Sequence, residues 1–295
     1  MKLVTVATHS ERYYPYLELS AKRYGHDLVV LGWGERWQGF TWKYLLLKEY
    51  LKTLKPDDIV CFIDAYDVII LEDPKTIEAK FKAAIGDQKD KLFISRDRFE
   101  TKSAFTQFAI NLWYSGLFRK CKGQYICSGT YIGYASTILT LFDNLCTEFD
   151  CAPTRNDQVI LQDYCIKHED KFIIDENSDI FIITNSNLVS KINEQEEGIT
   201  YDGNKLKYGG HYPSILHGPG NARIDDIIVH LGYDPAIYTA PVDDSIKYLY
   251  VQLKHFLWLL LKKSFIYIIL TVLIVWAFIK HKNIPSTSRN VRSRH

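Results

Sequence analysis

The run Asp-Ile-Val-Cys-Phe-Ile at residues 58–63 constrains this chain more than any other stretch. After its first residue it has no polar side chain, so as a strand it has no face that tolerates water and must be covered on both sides. A sheet covered on both faces needs helices packed above and below it, which places the chain in the α/β class. The flanking sequence supplies them. Leu3–Ala7, Asp27–Leu31 and Leu92–Ser95 are further short apolar strands. Tyr14, Leu17, Ala21 and Tyr24 recur at helical spacing, and Trp42–Leu54 is a second helix ending at a Lys-Pro-Asp-Asp turn. Strand–helix–strand succession implies right-handed crossovers and a largely parallel sheet, with ligands beyond the carboxyl ends of its strands. Residues 96–126 read as an excursion or flap, and 241–263 as an amphipathic connector.

Asp64-Ala65-Tyr66-Asp67 follows the apolar run directly and precedes a second one, Val-Ile-Ile-Leu. Two carboxylates at a strand end hold a divalent cation through oxygen ligands while leaving positions open for phosphate. The same pattern fits a polar turn between strands, or the phosphoacceptor aspartate of a receiver domain. The motif alone does not choose among the three.

Charge and cysteine narrow the setting. Lys and Arg number 36 against 35 Asp and Glu, without the basic stripe that nucleic-acid binding requires. The six cysteines, at 61, 121, 127, 146, 151 and 165, show neither Cys-x-x-Cys spacing nor a zinc-like Cys/His cluster. Cys61 reads as a core residue. The amino-terminal apolar stretch, about five residues long, is too short for a signal peptide, and no Asn-x-Ser/Thr sequon occurs. These features together predict free thiols in a reducing, cytosolic setting. The carboxyl end is different: Ser264–Ile279 is uncharged over 16 residues, slightly short of the roughly 20 that span a bilayer. Lys262, Lys263, Lys280 and Lys282 flank it and can snorkel. The expectation is a folded domain at 1–240 in the cytosol, a single membrane-spanning helix at 264–280 and a basic tail at 281–295.

Phe62–Ile69 resembles the metal-site segment of the glycosyltransferase domains of procollagen glycosyltransferases and multifunctional lysyl hydroxylases. The likeness continues in the same order along the chain. Val4–Thr8 is similar to the family's first strand and nucleotide-facing loop, Leu31–Trp37 to its LGxGxxW segment, and Lys43 to a lysine directed at the donor. Ser128–Ala135 resembles the SGGFIGYA stretch, Asn156-Asp157-Gln158 the DDQ, Leu216–Gly220 the segment carrying a third metal ligand, and Leu231–Tyr233 a later LGN/LGY element. Together these segments cover roughly residues 1–236. The receiver reading leaves Trp37, Ser128-Gly129 and His217 unexplained and is set aside.

The resemblance implies a glycosyltransferase-A-type fold, a Rossmann-like mixed sheet flanked by helices. It implies metal-dependent transfer of glucose or galactose from a UDP-sugar to hydroxylysine or galactosyl-hydroxylysine of a collagen-like chain. Asp64, Asp67 and His217 would hold the ion, and two hard oxygens plus an imidazole suit Mn2+, with Mg2+ second. Such an ion stabilises the charge left on the departing diphosphate. Thr8 would face the nucleotide, Tyr66 stack on uracil, Lys43 pair with phosphate or uridine, and Trp37 close over the donor from its Gly-flanked loop. Gly218 and Gly220 would allow close backbone approach to the diphosphate. Asp157 is the leading carboxylate for the sugar or the acceptor nucleophile, and Asp97, just past the Leu92–Ser95 strand, is the second. Each has a plain alternative: packing for Tyr66, a solvated helix face for Lys43, a loop anchor for Trp37, a helix cap for Asn156-Asp157, a solvated loop charge for Asp97.

The chain departs from the family at Pro219–Arg223, where the family has Asn and a Pro-Thr-Lys run; Arg223 is the candidate substitute for a phosphate-facing lysine. No dioxygenase-like iron motif follows residue 236. Two rivals stay open: transfer to another glycan or protein acceptor, and a catalytically silent, membrane-tethered nucleotide-sugar-binding module.

Overall fold

The computed structural model describes residues 1–98, 120–152, 156–184, 194–220, 222–238 and 273. The chain divides into one unit at Met1–Ala240 and another at Pro241–His295, and all the described strands lie in the first. They are β1 (Lys2–Val6), β2 (Leu28–Leu31), β3 (Ile59–Ile63), β4 (Val68–Ile70), β5 (Leu92–Arg96), β6 (Ile126–Tyr134), β7 (Phe172–Asp175), β8 (Phe181–Ile183), β9 (Ile199–Asp202), β10 (Lys205–Tyr208) and β11 (Ile215–His217). The helices that cover them are α1 (Tyr14–Arg23), α2 (Trp42–Leu51), α3 (Pro74–Ile85), α4 (Ala135–Glu148) and α5 (Asp157–Lys167).

A six-stranded sheet runs β2-β1-β3-β6-β5-β7. β1 pairs in parallel with β2 and β3, and β5 with β7. β6 runs antiparallel to both its neighbours, β3 and β5, so the sheet is mixed rather than largely parallel. All five residues of β3 are buried, as its two-faced apolar sequence demands. On one face Val60 and Phe62 pack with Trp42 and Leu47 of α2 and Phe142 of α4. On the other, Ile59, Cys61 and Ile63 pack with Leu17 of α1 and with Ile77 and Phe81 of α3. Each such Leu, Ile or Phe contributes about 1.5–3 kcal/mol by leaving water.

The helix ends follow local chemistry. Asp73 caps α3 by accepting from the backbone N–H groups of Lys75 and Thr76, Pro74 opens its first turn, and Gly86 (φ 54°) ends it. The helix predicted over 42–54 stops at Leu51, because Lys52–Leu54 wind into tighter turns, Leu54 N donating to Leu51 O, ahead of Pro56.

A second, three-stranded sheet has the order β4-β11-β8, with β11 antiparallel to β4 and parallel to β8. β3 belongs to the large sheet and β4 to the small one, so Asp64–Asp67 is the point where the chain crosses between sheets. That crossing brings the end of β3 beside the ends of β4 and β11.

Two expectations need correction. Disulfides join Cys121 to Cys165 and Cys146 to Cys151, leaving Cys61 and Cys127 free and buried. Spacing in sequence did not reveal the first pair because its members lie 44 positions apart and meet only through packing of α5. Disulfides persist in oxidising surroundings, so the thiol argument for a reducing, cytosolic setting falls. The single-pass anchor falls as well: among the described residues no helix is long and apolar enough to cross a membrane. An apolar run of 16 residues does not by itself dictate a spanning helix, and the membrane partner and cytosolic tethering inferred from it do not stand. Of 264–280 only Leu273 is described, in helical conformation and exposed. The expected connector at 241–263, the tail at 281–295 and most of the 96–126 excursion lie outside the described residues.

Candidate active site

Three separate stretches of backbone converge at the end of β3. Asp64 N donates to Gly129 O of β6 at 2.8 Å. Asp67 leads into β4, and His217, the last residue of β11, lies opposite Val68 in the ladder. Gly218 N donates to Asp67 O at 2.8 Å, which ties the loop after β11 to the acidic segment. The ligand atoms of Asp64, Asp67 and His217 all lie within 4.8 Å of one another. His217 Nε2 is 3.3 Å from Asp67 Oδ1 and 4.0 Å from Asp64 Oδ2.

The 3.3 Å contact is not a well-aligned hydrogen bond: both Asp67 Oδ1 and His217 Nε2 are buried without a hydrogen-bond partner. Unpaired buried polar atoms are costly, and two that converge suit a shared cation. Gly129 keeps the space between them open. A Cβ there would lie 2.5 Å from both Asp64 Oδ2 and His217 Cε1. The residues therefore fit a divalent metal. Burial pushes the Asp67 carboxyl up, but His217 and then Arg12 outweigh it and leave its pKa low. Burial disfavours the His217 imidazolium, yet Asp67 and Cys127 hold its pKa well above the usual value. Asp64 is pushed up by burial, with Lys43 opposing; its side chain is still 34% exposed, so water screens that push.

Beside this group lies a buried polar chain. Lys43, in the first turn of α2, has its Nζ 2.5 Å from Asp157 Oδ2 and 3.1 Å from Asp64 Oδ1. Burial works against its charge, but Asp157 and Asp64 together raise its pKa. Lys43 is thus buried and ion-paired rather than on a solvated helix face. The cap of α5 is Asn156, which accepts from Val159 N, leaving the Asp157 carboxylate for Lys43 and for Ser128 Oγ, which donates to it at 2.7 Å. Gln158 then secures β6, accepting from Ser128 N at 2.6 Å and donating to Ile126 O. Asp97 is buried rather than solvated, and burial pushes its carboxyl up to about 7 against the pull of His217.

The rim is looser. Tyr66 is half-buried, and its hydroxyl accepts from Thr8 N at 3.0 Å. Trp37 is 42% exposed and meets Trp42 and Phe40 edge-on at 5.7 and 6.0 Å. Gly218 is dictated by packing, since a Cβ there would come within 2.8 Å of Ile224 Cγ2. Gly220 supplies a turn at φ 70°. Arg223 is ion-paired with Asp225 at 2.7 Å. The cation that sequence reasoning overlooked is Arg12. It sits in the loop after β1 at φ 51°, rare for a residue with a Cβ, and donates to Gly220 O at 2.5 Å. No local pattern marks such a residue. Gly129 and Ser128 lay within a recognised segment, but their roles did not.

A mixed α/β fold thus gathers an Asp-Asp-His group beyond the carboxyl end of a central strand. Residues 1–233 match the PLOD GT domain, and the chain belongs to that family. It is 27% identical over 246 residues to the "Multifunctional procollagen lysine hydroxylase and glycosyltransferase" of Caenorhabditis elegans, covering 78% of this chain and 31% of the relative. It is 25% identical over 238 residues to the "Procollagen-lysine,2-oxoglutarate 5-dioxygenase" of Drosophila melanogaster, covering 76% and 31%. The chain thus spans about a third of the length of the curated relatives it matches. Among solved structures, a glycosyltransferase involved in glycosylation of the major capsid of PBCV-1 aligns with TM-score 0.47 and 10% identity, over 78% of this chain and 97% of that one. Galactosyltransferase LgtC, in complex with donor and acceptor sugar analogs, aligns with TM-score 0.37 and 15% identity, over 62% and 76%.

Proposed function

We propose that this chain transfers a hexose, glucose or galactose, from a UDP-sugar to hydroxylysine or galactosyl-hydroxylysine of a collagen-like protein. The observation that carries this reading is the convergence of Asp64, Asp67 and His217 with two buried, unpartnered ligand atoms. Asp64, Asp67 and His217 would hold Mn2+, or Mg2+ as second choice, which when bound would supply Lewis-acid stabilisation of the donor's diphosphate. The chain's own residues do the rest. Tyr66, its hydroxyl anchored on Thr8, offers its ring to uracil. Arg12 takes the phosphate-facing place expected of Arg223, which Asp225 already neutralises. Lys43 orients Asp64 and Asp157 instead of gripping the donor. Asp157, held by Lys43 and Ser128, faces the sugar hydroxyls or the acceptor nucleophile, with Asp97 the second acid. Trp37 covers the donor from its exposed loop and limits water, which suppresses hydrolysis.

The test is UDP release by the full chain with UDP-glucose or UDP-galactose, with and without Mn2+, and with a hydroxylysine peptide or its galactosylated form. Metal-dependent turnover of one donor, raised by one acceptor and lost in Asp67→Ala and His217→Ala, is the expected result. UDP binding without turnover under every condition would favour a silent binding module, and absence of both would sink the proposal.

A further inference from the structure

We infer that Cys127 is a positioning residue for His217: its sulfur accepts a hydrogen bond from the imidazole Nδ1–H and so leaves the Nε2 lone pair facing the metal position beside Asp64 and Asp67. The inference rests on the metal reading of that group.

Cys127 lies on β6, buried and outside both disulfides. Its Sγ is 3.5 Å from His217 Nδ1, within the range for a hydrogen bond to sulfur. A neutral imidazole carries one ring proton, and the nitrogen that binds a metal must be the one without it. Whatever accepts the proton on the other nitrogen therefore selects the ligating tautomer. Two arrangements are open to His217 once its ring is neutral, as a metal ligand must be. With the proton on Nε2, it would need Asp67 Oδ1 as acceptor, yet these two atoms, 3.3 Å apart, are not aligned for a hydrogen bond. With the proton on Nδ1, it meets Sγ of Cys127. The geometry favours the second.

The other group that could compete is Asp97, buried at the end of β5 and near enough to interact electrostatically with both His217 and Cys127. Its carboxylate accepts from Arg98 N, and among the described residues the Nδ1 contact is with the sulfur. The strand supplies the framing. Residues two apart on a strand share a face, so Cys127 and Gly129 both point from β6 toward the imidazole. The sulfur supports Nδ1, while the missing Cβ at 129 clears Cε1, which a methyl group would approach to 2.5 Å. Together they hold one ring in one orientation.

The experiment compares Cys127→Ser, which keeps a proton acceptor, with Cys127→Ala and Cys127→Val, which remove it, in the full chain. The readouts are the affinity for Mn2+ alone by titration calorimetry, the His217 tautomer by 15N NMR of the neutral ring, and the thermal unfolding midpoint. Loss of an outer-shell partner typically costs 10- to 100-fold in metal affinity. The expected result is a loss of about that size in the Ala and Val variants, a mixed tautomer in both, and recovery to within a few-fold in Ser. Equal Mn2+ affinity in all four proteins would overturn the inference, as would an Nε2–H tautomer in the wild type. Equal losses in Ser and Val would reduce Cys127 to a packing residue and overturn it too. Asp67→Ala separates the two readings: if the wild type binds no Mn2+, or Asp67→Ala binds it equally well, the metal reading itself fails. If Asp67→Ala abolishes binding while the Cys127 variants keep wild-type affinity, only the inference fails.

Discussion

The polar chain beneath the Asp64–Asp67 crossing and the aromatic rim at residues 33–40 serve one site but are held in opposite ways. In the first, Lys43 is shared by Asp64 and Asp157, Asp157 by Lys43 and Ser128, and Ser128 by Asp157 and Gln158. In the second, Trp33, Trp37 and Phe40 are 51%, 42% and 54% exposed and touch chiefly one another and the first helices. Buried polar networks are stable only when every member is satisfied, so the deep side is rigid by necessity. The rim carries no such obligation. Substitutions below should cost stability or metal binding, whereas those above should cost substrate affinity alone.

The sharpest way to break that contrast is Lys43→Met. It leaves the Asp157 carboxylate buried without its cation, and removing one partner of a buried pair costs roughly 3–5 kcal/mol. Urea unfolding at pH 7 measures it, and a loss under about 1 kcal/mol, the range of exposed pairs, would deny that the network is buried in energetic terms. Asp97→Asn tests the same region with opposite sign. The Asp97 carboxyl is raised to about 7 by burial, against roughly 3.9 in an unfolded chain. The folded state therefore favours its protonated form: that contribution is complete below about pH 4 and is lost as pH rises through 7. In metal-free protein the Asn variant should match wild type at pH 4 and be more stable at pH 8, by up to about 4 kcal/mol. A variant less stable than wild type at pH 8 would contradict the burial argument.

Gly129→Ala comes next. The added methyl meets Asp64 and His217 at 2.5 Å, so Mn2+ affinity should fall by about 100-fold, near 2.7 kcal/mol, by calorimetry. Unchanged affinity would mean that the space beside Asp64 and His217 is wider than the structure shows. On the rim, Arg12→Gly should weaken UDP binding about tenfold, or ~1.4 kcal/mol, without loss of folding stability, because glycine adopts positive φ freely. A drop in stability with UDP binding intact would assign Arg12 to the scaffold instead. The smallest effect belongs to Trp37→Ala, a rise of a few-fold in donor KM at unchanged unfolding midpoint, read from UDP-release kinetics.

Much of the deep region was readable because its signals are local. β3 announces itself by having no polar face, and two acids directly after it must lie at a strand's end. His217 was different. A lone histidine between Leu216 and Gly218 carries no sign of its partners, and only the likeness of a whole series of segments pointed to it. Cys127 gave no sign at all, since its role depends on a ring 90 positions away. On the rim, side chains find partners that no motif encodes: Arg223 pairs with Asp225, and Arg12 reaches Gly220 across 208 positions.

The apolar anchor was misjudged for a related reason. Hydropathy reports what a segment avoids, and a run of 16 such residues satisfies that preference in more than one kind of structure. The sequence by itself determined the α/β class, the strand that anchors the sheet and the two acids at its end, because burial period and adjacency act over a few residues. The antiparallel course of β6, the Cys121–Cys165 disulfide, the capture of Lys43 and the meeting of His217 with Cys127 and Gly129 were decided only by tertiary structure. Each joins residues far apart in the chain, and such a contact has no energy until the folded backbone brings its two sides within a few ångströms.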